Sequence, residues 1–147
     1  MPISDIIGPD NVIVGLRAAD KTQLLRELAR RAATALALDQ RVILDALLAR
    51  EALGSTGLGK GFALPHARLD TLPRYFALFA RLARPIDFAA IDERPVDLII
   101  LLLTPAEGSQ HLATLAALSR PLRDPAFVQR LRDAPDASAV HALLATA

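Results

Sequence analysis

The chain has 147 residues, 52% apolar and 22% charged, the size of one domain able to bury about two-thirds of its unfolded surface. Seventeen Lys and Arg against sixteen Asp and Glu leave a net charge of +1, which argues against a dedicated nucleic-acid binder built to neutralise a phosphate backbone. With no cysteine, disulfides, thiolate metal sites, iron–sulfur clusters and cysteine nucleophiles are excluded.

The stretch from Met1 to Asp10 lacks the basic start and apolar run of a signal peptide. The longest strongly apolar stretch, Leu98 to Leu103, is too short to span a bilayer. The expectation is a soluble cytoplasmic protein with no membrane insertion. No repeat, low-complexity tract or linker divides the chain, so residues 1–147 read as one domain.

Asn11 to Leu16 is a short β-branched run, a strand. Asp20 then stands as an N-cap before a helix over Lys21 to Leu38, with Leu24, Leu28, Ala32 and Ala35 on one face. A second helix is expected after Asp39, through Ile43, Leu47 and Arg50, ending near Gly54 as a left-handed C-terminal residue and forming a hairpin with the first. Phe62–Leu64 and Tyr75–Leu82 read as strands, and Asp97–Thr104 as a strand buried on both faces, which requires helices on either side. Those helices are expected over Ser109–Leu122, Pro125–Leu131 and about Pro135–Leu144, with Asp124 and either Asp133 or Asp136 as caps. Interleaved strands and helices favour a layered α/β domain.

Four of the seven glycines fall between Gly54 and Gly61. Such a cluster permits positive φ and bares backbone N–H groups, which suits an anion-binding nest as readily as an ordinary turn. Gly54 to Lys60 also satisfies G-x-x-x-x-G-K, but Gly61 stands where a P-loop needs a Ser or Thr hydroxyl for Mg²⁺. The flanking order is also wrong, a helix before and a strand after.

Pro65-His66 follows a short apolar strand, so an imidazole is expected at a strand end, where the chain leaves the sheet. There His66 reads either as a plain loop residue or as a nucleophile, one ring nitrogen held by a backbone carbonyl while the other attacks phosphorus. Arg50 either offsets a helix dipole or clamps an anion through bidentate bonds. His111, opening the helix after the buried strand, is either a cap or a second histidine near His66. His141 reads as an ordinary helix residue, and three histidines without acidic partners at metal-ligand spacing give no case for zinc.

Gly54-Ser-Thr-Gly-Leu-Gly-Lys-Gly-Phe-Ala-Leu-Pro-His66-Ala67 closely resembles the active-site signature of the enzyme IIA components of the bacterial phosphotransferase system, fructose/mannitol and nitrogen-regulatory class. The resemblance extends through Phe88–Leu98, Thr104-Pro105 and His111–Arg120, nearly the whole chain. It implies a mixed central sheet with helices on both faces and a single EIIA type-2 domain over residues 1–147. It implies a phosphocarrier whose histidine, matching His66, accepts a phosphoryl group on Nε2 from a small HPr-like histidine phosphocarrier protein. Arg50 and His111 match the family's neighbouring arginine and second histidine. Gly54, Ser55, Thr56, Gly57, Gly59, Lys60 and Gly61 are then the candidates for phosphate binding, with neither cofactor nor metal required. Lys60 stands where the family often has Asn, and Ala67 where nitrogen-type members often have Gly.

A freestanding domain with the Phe88–Leu98 stretch looks more like the nitrogen-regulatory than the sugar-transport type, which implies regulatory target proteins that read the phosphorylation state. The alternatives are transfer to a sugar permease IIB domain, or an interaction module indifferent to phosphorylation. Sequence leaves the oligomeric state open, a dimer included.

Overall fold

The computed structural model describes residues 3–106 and 111–147. A six-stranded mixed sheet is formed by β1 (Val12–Leu16), β2 (Gly57–Gly59), β3 (Phe62–Ala63), β4 (His66–Leu69), β5 (Phe76–Ile86) and β6 (Val96–Pro105). The strand order is β1-β5-β6-β3-β2, with β4 also paired to β6 beyond β3. β5 runs antiparallel to β6, while β1 on β5 and both β3 and β4 on β6 are parallel.

The helices are α1 (Lys21–Leu36), α2 (Gln40–Ala52), α3 (His111–Ser119), α4 (Pro125–Asp133) and α5 (Ala137–Ala145). β6 shows why they divide between two faces. Successive strand side chains point to opposite sides, so Ile99, Leu101 and Leu103 join Leu24, Leu28, Ile43 and Leu47 of α1 and α2. Leu98, Ile100 and Leu102 join Leu118, Leu131, Val140 and Leu144 of α3, α4 and α5. A run apolar at every position is thus what a strand covered on both faces requires.

Local chemistry sets the helix ends. Asp20, Asp39, Asp124 and Asp136 each accept a backbone N–H from the first turn of their helix, the N-cap role of a short carboxylate. Of the two candidates before α5 it is Asp136, so that helix starts at Ala137 and not at Pro135. α1 stops at Leu36, short of Leu38, because Ala37 turns left-handed at φ 54°. The helix expected to run to Leu122 ends at Ser119, since Pro121 has no N–H to continue the ladder and the chain passes into a 3₁₀ turn over Pro121–Arg123. Ser109, its expected start, lies outside the described residues.

The glycine-rich segment differs most from its sequence reading. It holds two short strands, β2 and β4, on either side of β3. Phe62 and Ala63 pair with Leu98 and Ile99, and His66 to Leu69 pair with Leu102 to Pro105. β3 and β4 are therefore one path along β6 interrupted at Leu64-Pro65. Even at the break the Pro65 carbonyl accepts the Leu102 N–H at 3.0 Å. His66 is consequently not where the chain leaves the sheet but where it re-enters it. Proline, which cannot donate to a ladder, produces the interruption.

Candidate active site

His66 opens β4, opposite Leu102, and is half-buried. Its Nδ1 lies 2.9 Å from the Leu64 carbonyl oxygen. A carbonyl can only accept, so Nδ1 carries the proton and donates. On the other side of the ring, Arg50 Nε–H donates to His66 Nε2 at 3.2 Å. A guanidinium can only donate, so Nε2 presents a lone pair. Two partners with fixed roles select one neutral tautomer with its nucleophilic nitrogen outward. Burial pushes the His66 pKa below the ordinary histidine range; the Leu64 carbonyl opposes that, the Arg50 charge reinforces it and Glu51 opposes it. The imidazole is therefore neutral, the form that can attack an electrophile.

Arg50 sits in the last turn of α2, with Nη1 donating to the Gly54 carbonyl at 2.9 Å. The dipole reading and the clamp reading thus meet in one residue: it satisfies a carbonyl beyond the helix end and still reaches His66. The next residue, Glu51, turns inward, its side chain only 6% exposed. Its Oε1 accepts the Thr56 N–H at 3.0 Å and an ion pair from Lys21 Nζ at 2.9 Å, and its Oε2 accepts the Thr56 hydroxyl. The Thr56 carbonyl in turn accepts the Leu64 N–H at 3.0 Å. A continuous relay therefore runs from Glu51 through Thr56 and Leu64 to His66 Nδ1. Lys21 also lies 4.5 Å from the centre of the Phe88 ring, and the Phe88 carbonyl accepts the Ser55 hydroxyl at 2.9 Å.

His111, the first residue of α3, lies with His66 and Arg50 in one hollow of about 490 Å³ at the sheet edge, between α2 and α3. Leu53, Thr104, Leu115 and a second guanidinium, Arg68, are among the other residues of its wall. His111 Nδ1 is 3.1 Å from the Tyr75 hydroxyl, with the two rings 5.8 Å apart. His141 is elsewhere, its Nε2 donating to the Ile7 carbonyl at 3.2 Å and tying α5 to the N-terminal turn. Among the described residues no three His, Asp or Glu side chains converge as a metal site would require.

The glycine segment is divided in its placement. Gly54 meets Arg50 through its carbonyl, while Ser55, Thr56 and Gly57 turn their polar groups to internal partners, the Gly57 N–H to Ser55 Oγ at 3.1 Å. Gly57 approaches its neighbours so closely that a Cβ there would lie 2.8 Å from Ala90 Cα and Cβ. Gly59 ends β2, Lys60 and Gly61 form the turn of the β2–β3 hairpin, and the three line other hollows, none of them shared with His66. The segment follows a helix and enters a hairpin, the reverse of a P-loop's strand-to-helix order.

Sequence reasoning missed Lys21, Glu51 and Tyr75. A lysine at a helix start and a glutamate after an arginine look like surface residues. Only the fold brings Lys21, Glu51 and Thr56 together. Tyr75 is the one tyrosine of the chain, and its solitude was the only signal.

A family model described as "Phosphoenolpyruvate-dependent sugar phosphotransferase system, EIIA 2" matches residues 5–147. The chain is 44% identical over 146 residues to a nitrogen regulatory protein of Bradyrhizobium diazoefficiens, covering 99% of this chain and 95% of that one. It is 41% identical over 108 residues to a PTS system fructose-specific EIIA component of Haloferax volcanii, covering 73% and 70%. The crystal structure of nitrogen regulatory protein IIA-Ntr from Neisseria meningitidis superposes with a TM-score of 0.91 at 31% identity, covering 97% of this chain and 98% of that one.

Proposed function

We propose that this chain, which belongs to the EIIA 2 family of the phosphoenolpyruvate-dependent phosphotransferase system, carries a phosphoryl group on Nε2 of His66 and controls partner proteins by its phosphorylation state. The observation that carries the reading is the pair of fixed hydrogen bonds on the ring, Nδ1–H to Leu64 and Arg50 to Nε2. Together they direct a lone pair into the hollow beside a guanidinium.

The step balances without an added base. The Nε2 lone pair forms the new N–P bond while the bond between phosphorus and the donor's histidine nitrogen breaks, and that nitrogen keeps the electron pair. The donor is an HPr-like phosphocarrier. Arg50 then exchanges its contact with Nε2 for charge-assisted bonds to phosphoryl oxygens, stabilising a transition state that spreads charge over them. His111, held at Nδ1 by Tyr75, turns Nε2 to the same hollow as a hydrogen-bonding neighbour. In this reading Gly54 acts through its bond to Arg50, and Ser55, Thr56 and Gly57 brace the segment from inside through their internal bonds instead of contacting the group.

The regulatory reading draws support from the similarity to nitrogen regulatory proteins along nearly the full chain. A phosphoryl group adds negative charge and three acceptor oxygens to the surface around His66, and a partner docking there gains or loses affinity accordingly. The setting is the cytoplasm; among the described residues no helix is long and apolar enough to cross a membrane. The second reading, transfer to a sugar permease IIB domain, is favoured by the similarity to a fructose-specific component.

Intact mass after incubation with phosphoenolpyruvate, enzyme I and the phosphocarrier tests the proposal. One acid-labile, alkali-stable phosphoryl group is expected on the parent and none on His66→Ala. Stoichiometric labelling of that variant, or no labelling of the parent by a competent donor, refutes it. Onward transfer to a IIB domain separates the two readings.

A further inference from the structure

Among the described residues, a hollow larger than the one at His66 does not contain that histidine. It measures about 580 Å³ and lies between the turn of the β2–β3 hairpin, the loop entering β6 and the start of α4. A smaller one of about 250 Å³ adjoins it, sharing Lys60 and Leu122. Four cations line the two: Lys60, Arg94 and Arg132 in the first, Lys60 and Arg123 in the second. The one lining carboxylate, Asp97, is held by Arg132 through bonds of 2.9 and 2.8 Å. Among the described residues Lys60, Arg94 and Arg123 form no ion pair. Asp92 stands at the rim, but its two oxygens accept the N–H groups of Lys60 and Arg94.

The backbone at Lys60 is fixed on both sides, which sets where its side chain starts. Lys60 has φ 58°, a left-handed conformation that favours Gly, Asn or Asp and gives lysine no advantage. Asp92 grips its N–H at 2.8 Å and Arg132 Nη2 its carbonyl at 3.1 Å. The Arg132 fork lies so close to the turn that a Cβ on Gly61 would be 2.4 Å from Nη2. A residue kept where its conformation costs energy, its backbone clamped on both sides and its charge in no ion pair among the described residues, beside a cavity, is the pattern of a ligand site. Apart from Gln129 the rest of the cleft is apolar and stiff, with Pro85, Pro95, Pro125, Leu122 and Val128 on its walls. The ammonium of Lys60 with the guanidiniums of Arg94, which lies near the Asp92 carboxylate, and of Arg123 in the adjoining hollow matches a phosphate chain, and planar guanidiniums and proline faces match a flat ring.

We propose that this cleft binds a small organic phosphate bearing a flat ring, of the nucleoside-phosphate class, independently of His66 and without Mg²⁺. The site needs no P-loop: side chains converging from three segments, and not a glycine nest, supply the charge.

The test is titration of the isotope-labelled full chain with ADP in metal-free buffer, followed by amide chemical shifts. Saturable shifts at Lys60, Gly61, Arg94 and Gln129, absent at His66, are expected at a Kd below about 1 mM. Loss of a charge-assisted bond should weaken binding roughly tenfold in Lys60→Asn and again in Arg94→Ala. Asn suits a left-handed turn, so Lys60→Asn should melt no lower than the parent, which separates lost contact from lost fold. Inorganic phosphate and adenosine should each bind at least about tenfold more weakly than ADP. Absence of saturation, undiminished binding by the double variant, shifts centred on His66, or phosphate binding as tightly as ADP would each overturn the proposal.

Discussion

The relay from Glu51 to His66 gives the most direct test of how the site is held, because two substitutions at one position perturb it by different amounts. In Glu51→Gln the side-chain carbonyl can still accept the Thr56 N–H, and the amide can donate to Thr56 Oγ1. What is lost is the full charge opposite Lys21, whose own side chain is 25% exposed and can turn to water. The expected cost is about 1–2 kcal/mol, toward the low end for breaking such a pair. Glu51→Ala removes every acceptor. It strands the amide and hydroxyl of Thr56, a residue only 2% exposed, and leaves Lys21 without its carboxylate, for a cost of about 3–5 kcal/mol. For a chain of this size that difference is roughly 8 °C in melting temperature. Urea unfolding followed by circular dichroism measures both, and ring ¹⁵N shifts report the His66 tautomer. With Thr56 released, the Leu64 carbonyl loses its fixed position, so Glu51→Ala should show His66 exchanging between tautomers while Glu51→Gln keeps the proton on Nδ1. Equal stability of the two variants, or an unaltered tautomer in Glu51→Ala, would refute the relay.

Other outcomes follow from the same contacts. His66 should titrate below its ordinary value of 6.5; its folded state then binds fewer protons than the unfolded chain, so stability is complete above the unfolded pKa and is lost as pH falls through the lowered folded one. Unfolding free energies from pH 7 to 5 should accordingly decline more steeply for the parent than for His66→Gln, and an imidazole titrating above 6.5 by NMR contradicts the assignment. Arg50→Lys puts a point charge where a fork spans the Gly54 carbonyl and Nε2, and should slow phosphoryl acceptance roughly tenfold or more with little change in melting; an unchanged rate in a quench-flow assay removes Arg50 from the mechanism. Gly57→Ala drives a methyl into the Cα and Cβ of Ala90, which cannot swing aside, with an expected loss of about 1–3 kcal/mol by denaturant titration; a neutral effect would mean that the 88–91 loop gives way.

The parts legible in the sequence are those governed by periodicity and local caps. The buried run in β6 announced helices on both faces, and the aspartates before α1, α2 and α4 fixed their starts because a short carboxylate can reach only its own first turn, whereas two aspartates before α5 left its start open. β2 and β4 were not legible. Glycine and proline weaken the strand signal, and both strands exist only because β6 offers them a partner along its length. Sequence singled out His66, Arg50 and His111, and the structure brings these three into one hollow. It did not show that Gly59, Lys60 and Gly61 belong to a different surface, since seven residues of hairpin can carry a side chain around a sheet edge while remaining adjacent in the chain.

That separation explains how one short segment serves two surfaces. From Gly54 to Thr56 the chain closes on Arg50 and Glu51, and the bond from Leu64 back to Thr56 fixes the far arm on the near one. Between these tied points the hairpin projects the Lys60 turn toward α4, where Asp92 and Arg132 hold it. The interruption at Pro65 then sets His66 against β6 with its Nδ1 on a carbonyl two residues earlier, a contact that an unbroken strand could not make because its carbonyls point along the ladder. The break in the sheet is therefore what gives His66 a fixed proton on Nδ1 and leaves the lone pair of Nε2 to face Arg50.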